Sequence, residues 1–213
     1  YLRINGTDPL AYYMNGAEKF RFTSDGKCGI GTDSPDQTLH VHKGSAGSID
    51  SSASAVVTIE NSSTAVLQFL TPNNVGAQIR FGDPDDSGKG WIEYGHSSDA
   101  LIFGTNGPEK LRIDSSGRIG ILTDSPSSWE ANADDLVING NGHTGITINS
   151  GSAGTTNLGN IVFAEGTAGS ADKFRGVIQY KHGDDYMRFY TDNEERFRIL
   201  NDGDVKIKDG DLI

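Results

Sequence analysis

Apolar and polar residues alternate in short runs along this chain. Phe20 and Phe22 flank Arg21, Leu111 and Ile113 flank Arg112, and Phe197 and Ile199 flank Arg198. A period of two puts the apolar members on one face of a strand and the arginine on the other. A turn signal follows each run: Asp25-Gly26, Ser116-Gly117 and Asp202-Gly203, dipeptides that tolerate the positive φ a tight hairpin demands. A second short strand is predicted after each of the first two turns, at 28–30 and 119–121. Asp33-Ser34-Pro35 and Asp124-Ser125-Pro126 then end the pairing, because proline has no N–H and biases the residue before it. No stretch carries apolar residues at spacings of three, four and seven, so no helix is predicted. The Gly- and Ser-rich stretches 44–54 and 150–156 read as loops.

The strand pattern belongs to a longer recurrence. Residues 18–35 read EKFRFTSDGKCGIGTDSP, residues 109–126 read EKLRIDSSGRIGILTDSP, and ERFRILNDGDVKI runs from Glu195 to Ile207. Counted between Glu18, Glu109 and Glu195, the copies lie 91 and then 86 residues apart. The intervening segments match as well. Gly90 to Tyr94 aligns with Gly176 to Tyr180, Asp99 to Phe103 with Asp185 to Phe189, Gln78 to Phe81 with Asn160 to Phe163, and Thr58-Ile59-Glu60 with Thr147-Ile148-Asn149. The spacings differ by an insertion placed in GTAGSADKFR. The division that follows is the end of a preceding unit at 1–17, one unit at 18–108, a second at 109–194 and the start of a third at 195–213. A long head-to-tail period indicates stacked units whose role is mechanical.

Composition sharpens this picture. Hydrophobic residues make up only 35% of the chain, and 28 of its 213 residues are glycine. So thin an apolar content leaves a lone chain marginal against its backbone entropy, and association with copies of itself is expected. The net charge of −11 opposes nucleic acid, which requires an excess of Lys and Arg, and opposes docking on anionic lipid. No apolar run is long enough to span a membrane, and no signal peptide is visible. The chain begins and ends in mid-repeat, which reads as a fragment of a longer protein. The single cysteine, Cys28, supports no disulfide framework and reads as a small buried hydrophobe.

Glu18-Lys19-Phe20-Arg21, Gly29-Ile30-Gly31-Thr32-Asp33-Ser34-Pro35 and Leu39-His40-Val41 together resemble the repeat of phage tail-fibre shafts. The second copy departs at Leu122, which replaces Gly31, and at Leu136-Val137-Ile138, which replaces L-H-V. The third has no GIGT element. The resemblance implies an all-β, elongated, repeat-containing homotrimeric fibre of short strands, with sandwich- or prism-like units and interwoven segments. It implies a virion location in a tail fibre and attachment to a host cell-surface glycan or protein receptor, with no enzymatic activity and no cofactor. Interchain edge pairing would satisfy strands that one chain leaves open. A polysaccharide-degrading tailspike segment and a Ca²⁺-dependent adhesin are the alternatives.

Several residues are candidates for chemistry. Asp83, Asp85 and Asp86 could offer oxygen ligands to Ca²⁺ but lack the spacing of a cation-wrapping loop, so a solvated turn is the preferred reading. His40 and His42 share one strand face and could meet a metal on a threefold axis; with Leu39 and Val41 as the buried alternates, both imidazoles are expected to point outward. His96 and His182 hold equivalent positions and read as turn residues. Glu93 with Asp99, or Asp184 with Asp185, could be proposed as hydrolytic pairs, yet none stands out from the acidic background. Trp129, which has no counterpart in the first unit, is a receptor-contact candidate, although packing is the preferred reading. Trp91 aligns with Val177 and reads as core. Arg21, Arg112 and Arg198, with Glu18, Glu109 and Glu195, are trimer-register candidates: each arginine is either solvated or paired with a carboxylate of a neighbouring chain.

Overall fold

The structure is a computed structural model and describes residues 2–3, 10–48, 50–151, 156–167, 169 and 172–208. Part of the predicted loop at 150–156, part of the insertion and the ends of the chain lie outside these residues. Among the described residues the chain is all-β. Its helical content is two single 3-10 turns, Pro126–Ser128 and Asp172–Phe174, and no helix is long and apolar enough to cross a membrane. The chain forms two compact units, Tyr1–Gln78 with Gly95–Ser97, and Ile79–Tyr94 with Ser98–Ile213. The phrase-to-phrase divisions at 108/109 and 194/195 are divisions of the sequence.

Three sheets account for the strands. The first contains β1 (Leu2–Arg3), β2 (Leu10–Met14), β3 (Ala17–Phe22), β4 (Cys28–Ile30), β5 (Leu39–His42) and β6 (Val57–Glu60) in chain order. β1 to β4 pair antiparallel, whereas β4–β5 and β5–β6 are parallel. The second contains β7 (Gly76–Phe81), β8 (Gly90–Gly95), β9 (Ala100–Thr105), β10 (Glu109–Ile113), β11 (Ile119–Ile121) and β12 (Leu136–Ile138), in the order β12-β11-β10-β9-β8-β7. Its β11–β12 pair is again parallel. The third sheet is antiparallel throughout and contains β13 (Leu158–Phe163), β14 (Gly176–Lys181), β15 (Tyr186–Thr191), β16 (Glu194–Ile199) and β17 (Val205–Ile207).

The three copies of the phrase take one local geometry. Each forms a strand (β3, β10, β16), a turn whose glycine has positive φ (Gly26 at 86°, Gly117 at 85°, Gly203 at 92°), and a short return strand (β4, β11, β17). Each long strand also carries a bulge. Tyr13 faces Glu18 while Tyr12 faces Phe20, which leaves Lys19 as the extra residue. Lys110 and Arg196 are extra in the same way. A bulge breaks the period of two, so residues three apart come to lie on one face. That is how Glu18 reaches Arg21, Glu109 reaches Arg112 and Glu195 reaches Arg198.

The parallel pairs decide which face of a sheet is covered. A parallel connection has to cross over the sheet. Residues 31–38 make this crossing in the first sheet and residues 122–135 in the second, each over the arginine-bearing face. A Cβ on Gly29 would lie 2.6 Å from the Thr32 carbonyl oxygen, and one on Gly120 would lie 2.7 Å from that of Thr123. Pro35 and Pro126 lie five residues beyond the last residues of β4 and β11 and are buried under these crossings. Gly31 and Leu122 both adopt left-handed φ, 78° and 58°, and both donate back to the long strand, to the carbonyls of Lys19 and Lys110. The departure at Leu122 therefore keeps the geometry of the first copy, and Leu136–Ile138 pairs with β11 as Leu39–Val41 pairs with β4.

Three expectations are corrected here. His40 does not point outward; it is 2% exposed, because the crossover covers its face and leaves the Leu39 and Val41 face open. Arg21 and Arg112 are not solvated, their side chains being each 15% exposed, whereas Arg198 is 32% exposed. Cys28 shares the open face and is half-buried, less enclosed than expected.

Candidate functional site

The main feature of each sheet is a two-row apolar face that the chain does not cover. In the first sheet the register aligns Tyr12, Phe20, Ile30, Val41 and Ile59 in one row across five strands. The next row is Leu10, Phe22, Cys28, Leu39 and Val57. The opposite face carries Ala11, Arg21, Gly29, His40 and Thr58. Phe22 is 42% exposed and Val57 53%, whereas Ala11 is 3% exposed. The burial expected from alternation is thus inverted in the isolated chain.

The other sheets repeat the arrangement. Phe103, Leu111, Ile121 and Ile138 form one row of the second sheet, and Leu101, Ile113, Ile119 and Leu136 form the other. The buried face holds Ile102, Arg112, Gly120 and Val137. In the third sheet Ile161, Ile178, Phe189, Phe197 and Ile207 align across all five strands. The Phe189 and Phe197 rings stack with centroids 4.3 Å apart. A shallow groove of about 230 Å³ on this face is lined by Ile148, Ile161, Ile178, Tyr180 and Met187. Monomeric proteins rarely leave contiguous apolar area of this extent in water, and such faces mark interaction sites.

The polar faces are closed by pairings within the chain. Arg21 donates from Nε and a terminal nitrogen to both oxygens of Glu18, at 2.6 and 2.7 Å. Arg112 grips Glu109 at 2.6 and 2.8 Å, and Arg198 grips Glu195 at 2.5 and 2.7 Å. This bidentate geometry is the strong form of the pair. The arginine fork holds the Glu18 and Glu195 carboxyls below their ordinary range, against the opposing effect of burial. The candidate register residues therefore meet their carboxylates three positions away on the same strand. In the third sheet Arg188 adds to this face. Its guanidinium lies 5.4 and 5.1 Å from the ring centres of Tyr186 and Tyr190 and donates to Gln179 at 2.5 Å.

His40 and His42 come together with Glu60, a partner that no local sequence signal announces. Asp36 N–H donates to His40 Nδ1 at 3.3 Å. The ring proton therefore sits on Nε2, which donates to Glu60 Oε2 at 3.1 Å. His42 Nδ1 donates to the Gly31 carbonyl at 3.2 Å. Glu60 also accepts from the Ala46 N–H at 2.6 Å, and this bond, reinforced by the two histidines, holds its carboxyl low. Among the described residues no three His, Cys, Asp or Glu side chains are grouped as metal ligands.

The remaining candidates are dispersed. Asp83 Oδ1 accepts from the backbone N–H of Asp85 and Asp86, and Asp86 Oδ1 accepts from Gly88, so two of the three carboxylates shape an exposed turn. Trp129 ends the Pro126–Ser128 turn and is 52% exposed. Trp91 is half-buried, its indole N–H donating to the Gly107 carbonyl at 3.1 Å. Tyr94 donates to Asp99 and Tyr180 to Asp185, at 3.2 and 3.0 Å. Both aspartates have left-handed φ. These two clasps close equivalent hairpins, and the matching spacing of the four residues could have announced them. They engage one member of each carboxylate pair weighed for hydrolysis. Asp184, from the second pair, bonds Lys181.

Neither models of known protein families nor curated proteins match this chain.

Proposed function

We propose that the chain is a structural segment of a trimeric fibre shaft that holds a receptor-binding region away from its base. The observation that carries this reading is the open apolar face, two rows wide, on each of three sheets. Packing three copies through these faces supplies the core that one chain lacks, while the forked arginine faces remain closed by pairings within each chain.

The placement in a phage tail fibre, with attachment to a host surface glycan or protein, rests on the resemblance of the E-K-F-R and G-I-G-T-x-S-P phrases. Light scattering on the purified chain tests the assembly. The expected mass is three times 22.7 kDa, and a monomer at micromolar concentration overturns the reading. A glycan array on the same sample then tests whether this segment itself contacts a receptor.

A further inference from the structure

In the first sheet the chain spends residues 43–56 to travel from β5 to β6, which then pairs parallel with β5 at Leu39↔Val57, His40↔Thr58 and Val41↔Ile59. The second sheet stops at β12, the counterpart of β5. Yet the counterpart of β6 is present in the sequence: Ile146-Thr147-Ile148-Asn149 stands where Val57-Thr58-Ile59-Glu60 stands in the first copy.

Among the described residues this segment has no strand partner. Among the described residues, Gly145 to Ile148 make no hydrogen bond. Ile146 is 71% exposed and Ile148 47%, with Ile148 at the rim of the groove on the third sheet. Exposed apolar residues with unpaired backbone groups are a ready template for pairing with a strand edge of another chain.

Only residues 139–145 separate β12 from Ile146, half the span of 43–56 that makes the same step in the first sheet. A parallel return must travel back along the strand, step one strand sideways and pass over the face. A shortened connection disfavours the closed arrangement within one chain and favours exchange of the same element between copies.

We propose that residues 146–148 form the missing sixth strand of the second sheet on the β12 edge of a second copy of this chain, in the register Leu136↔Ile146, Val137↔Thr147 and Ile138↔Ile148. The inference rests on the assembly reading and adds to it a strand exchange at a defined edge. Around a closed ring every β12 edge is covered, and each copy is tied to the next by backbone hydrogen bonds as well as by apolar packing.

Cysteine cross-linking tests it. Leu136→Cys and Ile146→Cys are placed on separate chains in a Cys28→Ser background, and the chains are mixed, co-refolded and oxidised. Both positions are exposed, and adjacent strands bring their Cα atoms within disulfide range. A disulfide-linked pair on a non-reducing gel is expected. When one chain carries both cysteines, the link is again between chains. Replacing residues 139–145 with the sequence of residues 43–56 converts it to a link within the chain. Amide exchange gives a second readout on the unaltered protein: Thr147 and Asn149, whose N–H groups face Leu136 and Ile138 in this register, exchange at least about tenfold more slowly than an unpaired segment. A trimer by light scattering that forms no link, links only within the chain, or exchanges these amides freely overturns the strand exchange and leaves the trimer standing. A monomer by light scattering overturns both.

Discussion

At the scale of single residues, the recurring Glu-x-x-Arg is a device for closing a polar face. The bulge brings Glu and Arg onto one side of the strand, and the fork then satisfies two side chains that would otherwise be buried with unpaired charge. Arg112→Ala leaves Glu109 without its partner and lowers unfolding stability by about 2 kcal/mol; Arg112→Lys, which has no planar fork, recovers only part of it. Urea unfolding of the two variants measures both effects. The carboxyls of Glu18 and Glu195 lie below their ordinary value of 4.5 in the folded state. A depressed carboxyl contributes stability that is complete above the unfolded value and disappears as pH falls through the folded one. Melting temperature is therefore expected to fall more steeply between about pH 6 and about pH 3 in the unaltered chain than in Glu18→Gln. Leu122 sits at φ 58° where the first copy has glycine, a conformation that strains a side chain by about 1–2 kcal/mol. Leu122→Gly is expected to raise stability by about 1 kcal/mol after the glycine's own entropy is counted. The reverse change fails: a Cβ on Gly31 would lie 2.2 Å from the His42 carbonyl oxygen.

At the scale of elements, equivalent hairpins keep their volume by exchanging large and small residues. In β14 and β15 Val177 faces Tyr190. In β8 and β9 the equivalent positions hold Trp91 and Gly104, and the indole occupies the space a side chain on Gly104 would need, with a Cβ there 2.0 Å from Trp91 Cε2. Glycine in a strand here makes room for a neighbouring ring. Gly104→Tyr alone is expected to unfold the hairpin. Gly104→Tyr with Trp91→Val restores the combination seen in β14 and β15, and the double variant melts well above the single one in a thermal scan. The crossovers act at the same scale. They run over the arginine faces, and this choice buries His40 with Glu60 and turns Leu39 and Val41 towards the open side. Alternation alone assigns both histidines outward, because it separates two faces without saying which one the rest of the chain will cover.

At the scale of the molecule, the open faces of the three sheets have one consequence. A polar substitution on such a face costs little in an isolated chain, where the site is already wet, and much in an assembly where it is buried. Ile30→Asp is expected to leave the β-sheet circular dichroism intact while the mass measured by light scattering drops from the trimer to 22.7 kDa. The strands and the turn glycines were legible in the sequence, because period two and positive φ act between neighbours along the chain. The recurrence of the phrase was legible for the same reason. The bulge was not, since a single extra residue in a strand leaves no mark on composition. Nor was the partnership of His40 with Glu60, which depends on two successive parallel crossovers bringing distant strands side by side. The sequence by itself determined which residues share a strand face; only the tertiary structure decided which face is closed, because that follows from the path of connections whose route no local preference prescribes.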